Sequence, residues 1–190
     1  MRITKLLAFA TVLVAVIAAP IAAQPYFGAT VPLGYVTADV EDLNENRFTT
    51  GIVGKGGVQL GMYGLEGQLG YTSHIYSVEV LGEDYSAYLN YLRLGLLAKV
   101  YPASIFYAGL GAEFSFLVGS GVASGGESYN QQSEAQEGPI YAATEAGVEL
   151  PVGPNLTVPI GAFFNYAVGN VPTDTRLMEL GVEAGLKYQY

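Results

Sequence analysis

The end of the chain alternates strictly between two kinds of residue. Over residues 180–190 every second position is apolar or aromatic, and the positions between them hold Glu183, Lys187, Gln189 or glycine. Successive side chains of an extended strand point to opposite sides. The pattern therefore predicts a strand with one apolar face and one polar face.

The same alternation recurs along the chain and predicts eight strands. They cover about residues 26–37, 48–60, 63–78, 85–101, 104–118, 140–150, 155–168 and 180–190. Such strands suit a closed barrel in a bilayer, because lipid wets the outer face and polar groups fill the interior. We therefore predict an all-β fold, an eight-stranded antiparallel up-and-down transmembrane β-barrel.

The connections between these strands alternate in length. Residues 61–62, 102–103 and 152–154 form tight turns, whereas residues 38–47, 79–84, 119–138 and 169–174 form longer polar loops. This predicts short periplasmic turns, longer extracellular loops and both chain ends in the periplasm. The loops carry eleven acidic residues against Arg47, which predicts a negative outer rim: Asp39, Glu41, Asp42, Glu45, Glu79, Glu83, Asp84, Glu127, Glu134, Glu137 and Asp174.

The first residues resemble an export signal. Arg2 and Lys5 precede an apolar run that ends in small residues beside Pro20, and the run is shorter than the roughly 20 residues of a membrane-spanning helix. We expect a signal peptide over residues 1–23, cleaved after Ala23, and one barrel domain over residues 24–190. That route leads to the outer membrane of a diderm bacterium.

Composition narrows the possible functions. Loss of Arg2 and Lys5 with the signal leaves six basic residues against 17 acidic ones, which lowers the net charge from −9 to −11 and disfavours nucleic acid as a partner. There is no cysteine, so disulfides and thiolate metal sites are excluded. The 25 glycines and 15 tyrosines suit a barrel with small residues inside and amphipathic rings at the lipid boundaries.

A family resemblance supports the same fold. Residues 89–99 read Leu-Asn-Tyr-Leu-Arg-Leu-Gly-Leu-Leu-Ala-Lys, and Tyr101, a glycine-rich strand over 107–116 and an aromatic C-terminal strand follow. This part of the chain resembles the porin-like outer membrane beta-barrel domain family, related to the small OmpA- and OmpX-type barrels. The resemblance implies eight antiparallel strands and insertion into the outer membrane. It implies no activity and no catalytic residues.

The polar faces place ten ionisable side chains in the predicted interior. An eight-stranded barrel is only wide enough for its own side chains, so four cations and six carboxylates there predict an ion-pair plug rather than an open pore. A narrow ion or proton path is the alternative. The ten residues are Lys55, Glu66, Arg93, Lys99, Glu113, Glu145, Glu149, Glu179, Glu183 and Lys187.

The sequence gives little support for a catalytic or metal site. Glu145 and Glu149 sit four residues apart on one strand, about 13 Å, which is too far to share a proton directly. His74 is the only histidine, and we expect a solvated residue at a loop base. Its neighbour Ser73 points to the opposite face and cannot pair with it. The acidic loop 39–46 has oxygen ligands but lacks the central glycine and full spacing of a calcium loop, so we expect a solvated, self-repelling loop, with weak divalent binding as the alternative. We predict no dedicated metal, cofactor or catalytic site.

Three functions remain at this stage. The first is a non-enzymatic barrel with a structural or adhesive role, held by lipids and lipopolysaccharide. It would be recognised by the barrel-assembly machinery through the strand ending at Tyr190, and its loops would contact extracellular partners. The second is a lipid A-modifying enzyme that uses His74. The third, a secreted ligand carrier, needs an apolar interior, which the ten charges oppose.

Overall fold

The computed structural model describes residues 23–38, 46–80, 83–124, 127–131, 136–169 and 177–190. The predicted signal peptide up to residue 22 and most of the long loops lie outside these ranges. Within the described residues, no helix is long and apolar enough to cross a membrane.

Nine strands make up the described part of the chain. They are β1 (Gln24–Ala38), β2 (Asn46–Leu60), β3 (Tyr63–Val80), β4 (Glu83–Ala103), β5 (Phe106–Ser124), β6 (Glu127–Gln131), β7 (Gln136–Pro151), β8 (Leu156–Gly169) and β9 (Leu177–Gln189).

Eight of these strands close into a barrel. The antiparallel order is β4-β3-β2-β1-β9-β8-β7-β5, and β5 pairs back onto β4. The first and last strands meet from Tyr26↔Gln189 to Ala38↔Leu177. The up-and-down topology predicted from the alternation is confirmed.

Strand β6 is a difference from the prediction. The sequence assigns residues 119–138 to a loop, but β5 continues to Ser124 and Glu127–Gln131 folds back onto it, pairing from Ser120↔Gln131 to Ser124↔Glu127. The predicted loop 79–84 is also shorter, because β3 and β4 stay paired as far as Val80↔Glu83. In both places the backbone stays paired although the side chains are mostly polar, because backbone pairing does not depend on apolar side chains. A pattern of apolar positions therefore does not predict these strand ends.

The two rims differ in their connections. The turn rim carries the three tight turns, at residues 61–62, 104–105 and 152–155, whereas the loop rim carries the longer connections. Gly61 has φ of 61°, the left-handed region that glycine adopts without steric penalty. The turns are tied by backbone bonds such as Tyr101 N to Met62 O at 2.8 Å and Glu149 N to Ile105 O at 2.7 Å.

Burial follows the predicted alternation along most of the wall; Val58 of β2 is an exception, because its parity places it on the outer face and yet it is 8% exposed. Outward side chains such as Leu110 at 64% and Leu180 at 61% are apolar and exposed, whereas inward side chains such as Glu113 and Glu179 are buried. Phe27, Tyr188 and Tyr190 form an outward aromatic cluster at the turn rim, with ring centroids 5.2–5.7 Å apart. The molecule therefore exposes its apolar surface and buries its charges.

Candidate functional site: the charged interior of the barrel

The structure places all ten charged residues of the predicted interior on the inner face of the barrel. Their side chains are at most 10% exposed, and they come from six of the eight barrel strands. They separate into three clusters along the barrel, which we call the inner pair, the middle cluster and the outer cluster, counted from the turn rim.

The inner pair consists of Lys187 and Glu149. Lys187 Nζ donates to both carboxylate oxygens, at 2.8 and 2.7 Å. The ammonium also lies 4.0 Å from the ring centroid of Tyr26 and 5.2 Å from that of Tyr101, within the range of cation–π attraction. This pair is electrically neutral and enclosed by tyrosine rings.

The middle cluster joins two lysines to three carboxylates. Lys99 Nζ lies 2.6 Å from Glu66 Oε2 and also bonds Glu145. Lys55 Nζ lies 2.9 Å from Glu145 Oε2 and 3.9 Å from Glu66 Oε1, and it bonds Glu183. Each lysine therefore bridges carboxylates on different strands.

Neutral side chains complete the middle cluster. Tyr26 Oη donates to Glu66 at 2.9 Å, and Thr30 Oγ1 donates to Glu183 at 3.0 Å. The amide of Gln68 donates to Glu66 at 2.9 Å and to Glu145 at 3.3 Å. These donors matter because a buried carboxylate needs its remaining lone pairs satisfied as well as an ion partner.

The outer cluster is centred on Arg93 and Glu179. The guanidinium donates to Glu179 through two nitrogens, Nη2 and Nη1, and Nη1 lies 2.7 Å from Glu179 Oε2. Nη1 also donates to Glu113 Oε1 at 2.8 Å. Asn165 donates to Glu179 at 3.2 Å. The two-point geometry is the arrangement that makes arginine–carboxylate pairs strong and directional.

His74 belongs to this outer cluster, so the prediction of a solvated histidine is wrong. It is 1% exposed, and its Nε2 lies 2.7 Å from the Arg93 guanidinium and 2.8 Å from Glu179. This nitrogen serves one of them at a time, accepting from arginine or donating to the carboxylate. The ring is buried because β3 runs past it to Val80, and the Tyr91 ring lies 4.8 Å away.

Ser73 lies on the other face of the wall from His74. Its hydroxyl donates to Asn90 Oδ1 at 2.6 Å. The serine and histidine therefore form no catalytic pair, as the strand alternation predicts.

Arg47 is an interior cation that the sequence analysis missed. It was assigned to the first long loop, but the structure places it in β2, 8% exposed, with its guanidinium carbon 5.1 Å from the Tyr76 ring centroid. The signal was available, because Arg47 has the same strand parity as the buried Thr49 and the inward Lys55.

The carboxylates spaced four apart belong to different clusters. Glu145 contacts the lysines of the middle cluster, whereas Glu149 belongs to the inner pair. In the same way Glu179 contacts Arg93 and Glu183 contacts Lys55. Among the described residues, no group of three or more histidine, aspartate or glutamate side chains is arranged to hold a metal ion. The acidic loop 39–45 lies outside the described residues.

Inward tyrosines lie against inward glycines. A Cβ atom at Gly57 would come 2.7 Å from Tyr26 Oη, and one at Gly161 would come 2.4 Å from Tyr107 Oη. Only glycine leaves room for these phenol rings inside so narrow a cylinder. This packing accounts for the inward members of both residue types, whereas other tyrosines, such as Tyr63 and Tyr190, lie on the outer face.

A closed cylinder with lipid-compatible side chains outside and ion pairs inside is a transmembrane β-barrel. Its strand number, topology and asymmetric rims give the chain the fold of the small OmpA- and OmpX-type outer-membrane barrels.

Solved structures of this kind are similar along most of the chain. Neisserial surface protein A is 21% identical, over 88% of this chain and 99% of that one, with a TM-score of 0.52. The outer membrane protein OprG of Pseudomonas aeruginosa is 15% identical, over 88% and 94%, with a TM-score of 0.51. The attachment invasion locus protein Ail of Yersinia pestis is 18% identical, over 87% and 97%, with a TM-score of 0.46.

Comparison at the level of sequence found no match. No protein-family model matches the chain, and no curated protein matches it.

Proposed function

We propose that this protein is a small, non-enzymatic outer-membrane barrel with a structural or surface-interaction role, and that its charged interior closes the barrel to solute flow. The observation that carries the proposal is the distribution of side chains across the wall, with exposed apolar side chains outside and paired charges inside. This is the inverse of the distribution in a water-soluble protein. Lipid would hold the outer face, and the loops would supply any recognition.

Three clusters at successive heights support a closed interior. The outer and middle clusters link strands on different sides of the barrel, such as β4 to β9 through Arg93 and Glu179, and β2 to β7 through Lys55 and Glu145, whereas the inner pair links β7 to β9. The spaces between the clusters are small. A cavity of about 40 Å³ separates the outer and middle clusters, and one of about 10 Å³ separates the middle cluster from the inner pair. These volumes suit isolated small species rather than a continuous aqueous channel.

Two measurements test this proposal. Membrane fractionation, together with gel mobility of heated and unheated protein, should give an outer-membrane species that is compact until it is boiled. Recovery from the soluble periplasm would refute it. In planar bilayers the refolded protein should show no steady conductance, whereas regular open-channel steps would favour the ion-conducting alternative.

The loop rim is the proposed interaction surface. The segments that the sequence assigns to its loops carry eleven acidic residues, and one of them, Glu137, is exposed at this end of β7. A partner with basic groups would be attracted, and the attraction would weaken as salt screens the charges. We expect the variant D39N/E41Q/D42N/E45Q to bind cationic vesicles less than wild type at low salt. Equal binding would remove the loops from the proposal.

The enzymatic alternative depends on His74. That side chain lies inside the wall and bonds Arg93 and Glu179, whereas a lipid acyl chain contacts the outer face. We expect His74→Ala to leave the lipid A composition of the outer membrane unchanged. An altered lipid A profile would contradict a non-enzymatic role.

The strand ending at Tyr190 is the proposed contact for the barrel-assembly machinery. The Tyr190 ring is 71% exposed and packs against Phe27 and Tyr188, and its backbone nitrogen donates to Pro25 O at 3.0 Å. Before closure, the same strand edge and ring would be free for another protein. Tyr190→Ala should slow assembly in cells more than it destabilises the refolded barrel. Equal effects would argue against this contact.

A further inference from the structure

The cavity between the outer and middle clusters has an unusual lining. It measures about 40 Å³ and is bordered by charged side chains from both clusters and by a threonine hydroxyl. The lining residues used here are Thr72, Arg93, Glu113, Glu145, Glu179 and Glu183.

The two clusters around this cavity carry more negative than positive charge. Their cations are Lys55, Lys99 and Arg93, and they face five carboxylates. The inner pair is neutral by itself, and Arg47 stacks on Tyr76 near the loop rim. With every group ionised, the two clusters carry a net charge of −2, and counting Arg47 as well brings the net charge of the described interior to −1. Uncompensated charge in a narrow, largely dry interior is strongly unfavourable.

Glu113 and Glu183 have the weakest compensation. Glu113 accepts from Arg93 through one oxygen, and the same guanidinium is already held by Glu179. Glu183 accepts from Thr30. Its one cationic partner among the described residues is Lys55, which also contacts Glu145 and Glu66. The deficit of positive charge therefore lies beside the cavity that both carboxylates border.

Thr72 provides an independent indication of an occupant. It is 2% exposed, and within the described part of the chain its Oγ1 atom has no hydrogen-bond partner. A buried hydroxyl left without a partner is disfavoured. Because Thr72 borders the cavity, a species inside the cavity can supply the missing contact.

We propose that this cavity is a binding site for a small monovalent cation, either an alkali ion that keeps only part of its hydration shell or a proton. The volume exceeds the roughly 10–15 Å³ that one water needs. A bare divalent ion fits less well, because it requires several converging carboxylates and the described residues contain no such group. The site does not depend on the proposed surface role, since it concerns only the interior.

The charged and titratable groups near the cavity come from six strands. They are Lys55 of β2, with Arg47 of the same strand nearer the loop rim, His74 of β3, Arg93 of β4, Glu113 of β5, Glu145 of β7, and Glu179 and Glu183 of β9. Of these, Glu113 and Glu183 are the candidates to hold the cation, because Glu66 and Glu145 each contact two lysines and Glu179 accepts from two nitrogens of Arg93.

The test uses the full barrel refolded in zwitterionic detergent. The thermal unfolding midpoint is read from the gel mobility of samples heated to increasing temperatures. Sodium chloride is compared with N-methyl-glucamine chloride at equal ionic strength, because the organic cation is too large for the cavity. Each salt is used between about pH 8 and pH 5, above the range in which ordinary carboxylates titrate. A higher midpoint in sodium at pH 8 identifies an alkali ion. A midpoint that rises in both salts as the pH falls identifies a proton.

Variants connect either effect to the cavity. Glu113→Gln and Glu183→Gln each remove a charge at nearly constant volume, and both should abolish most of the sodium or proton dependence. Glu149→Gln is the matched control, because its charge belongs to the separate inner pair. That variant should lower the midpoint but keep the cation dependence of wild type.

Thr72→Val tests the hydroxyl without changing charge. If an alkali ion is bound, the sodium concentration for half-maximal stabilisation should rise about fivefold, whereas stability in the organic salt should not fall. The proposal is overturned if wild type responds to neither sodium nor pH. It is also overturned if Glu113→Gln and Glu183→Gln both respond as wild type does.

Discussion

At the scale of single residues, the interior combines large rings with glycines that have no room for a side chain. Tyr107 shows this most clearly, because its hydroxyl lies where side chains at Gly147 and Gly161 would project. Neither residue type can be exchanged without moving the other. The close packing makes the interior sensitive to a single added methyl group.

Gly161→Ala should therefore destabilise the barrel. The new Cβ would lie 2.4 Å from Tyr107 Oη and 3.0 Å from the carbonyl oxygen of Ala146. We expect a loss of about 1–3 kcal/mol in the free energy of unfolding, as for other overpacked cores, measured by urea titration in lipid vesicles. Gly54→Ala is the matched control, because the nearest atom to its Cβ would be 3.6 Å away. Equal effects at both positions would contradict this account.

Glu179 is the carboxylate on which the outer cluster depends most. It is fully buried and accepts from Arg93, Asn165 and, in one tautomer, His74. Glu179→Gln should lower the free energy of unfolding by about 3 kcal/mol, because Arg93 loses its two-point partner in a buried setting. The exposed Glu137→Gln should change it by less than about 0.5 kcal/mol in the same urea titration. A small effect at Glu179 would show that Glu113 alone can hold the arginine.

At the scale of strands, alternation predicts sidedness well and strand ends poorly. The inward and outward faces of β4, β5 and β9 follow from parity alone, because lipid and ion pairs impose opposite chemistry on the two sides. The strand ends cannot be predicted from parity, because the backbone can remain paired beyond the apolar part of the wall, where the side chains are polar. That is why β6, the long ends of β3 and β4, and the place of Arg47 escaped the sequence analysis.

The outer face of β5 offers a test of the lipid boundary. Leu110 is 64% exposed and lies midway between Phe106 and Phe114 on that face. Leu110→Arg should disfavour the folded, inserted state by about 2–4 kcal/mol, the range for a cation near the middle of a bilayer. The measurement is the fraction of compact protein after refolding into vesicles. Leu110→Met should behave as wild type, whereas tolerance of arginine would place this face outside the hydrocarbon.

At the scale of the whole molecule, closure makes every barrel strand dependent on its neighbours. The sequence predicted the number of strands and their order, yet it could not predict the register, since parity is unchanged by a two-residue slip. Register decides which charges meet. The three clusters, the bridge between His74 and Glu179, and the cavity beside Thr72 could therefore be described only from the structure.

Closure also predicts how the molecule tolerates deletions. Removing β9 leaves unpaired edges on β1 and β8 and separates Glu179, Glu183 and Lys187 from their partners. We expect such a chain to give no compact species on unheated gels, because open sheet edges are not stable in hydrocarbon. A chain that lacks residues 132–135, between β6 and β7 in the sequence, should still give one. A compact species without β9 would contradict the closed fold.

The seam between the first and last strands has a practical consequence. Gln189 Nε2 donates to Gln24 Oε1 at 2.8 Å, so the two positions are direct neighbours on one rim. A short linker could join them, and the gene could be reopened between β6 and β7. The resulting circular permutant would carry its new ends on the opposite side of the bilayer, where a fused reporter or epitope would be displayed to the surroundings of the cell.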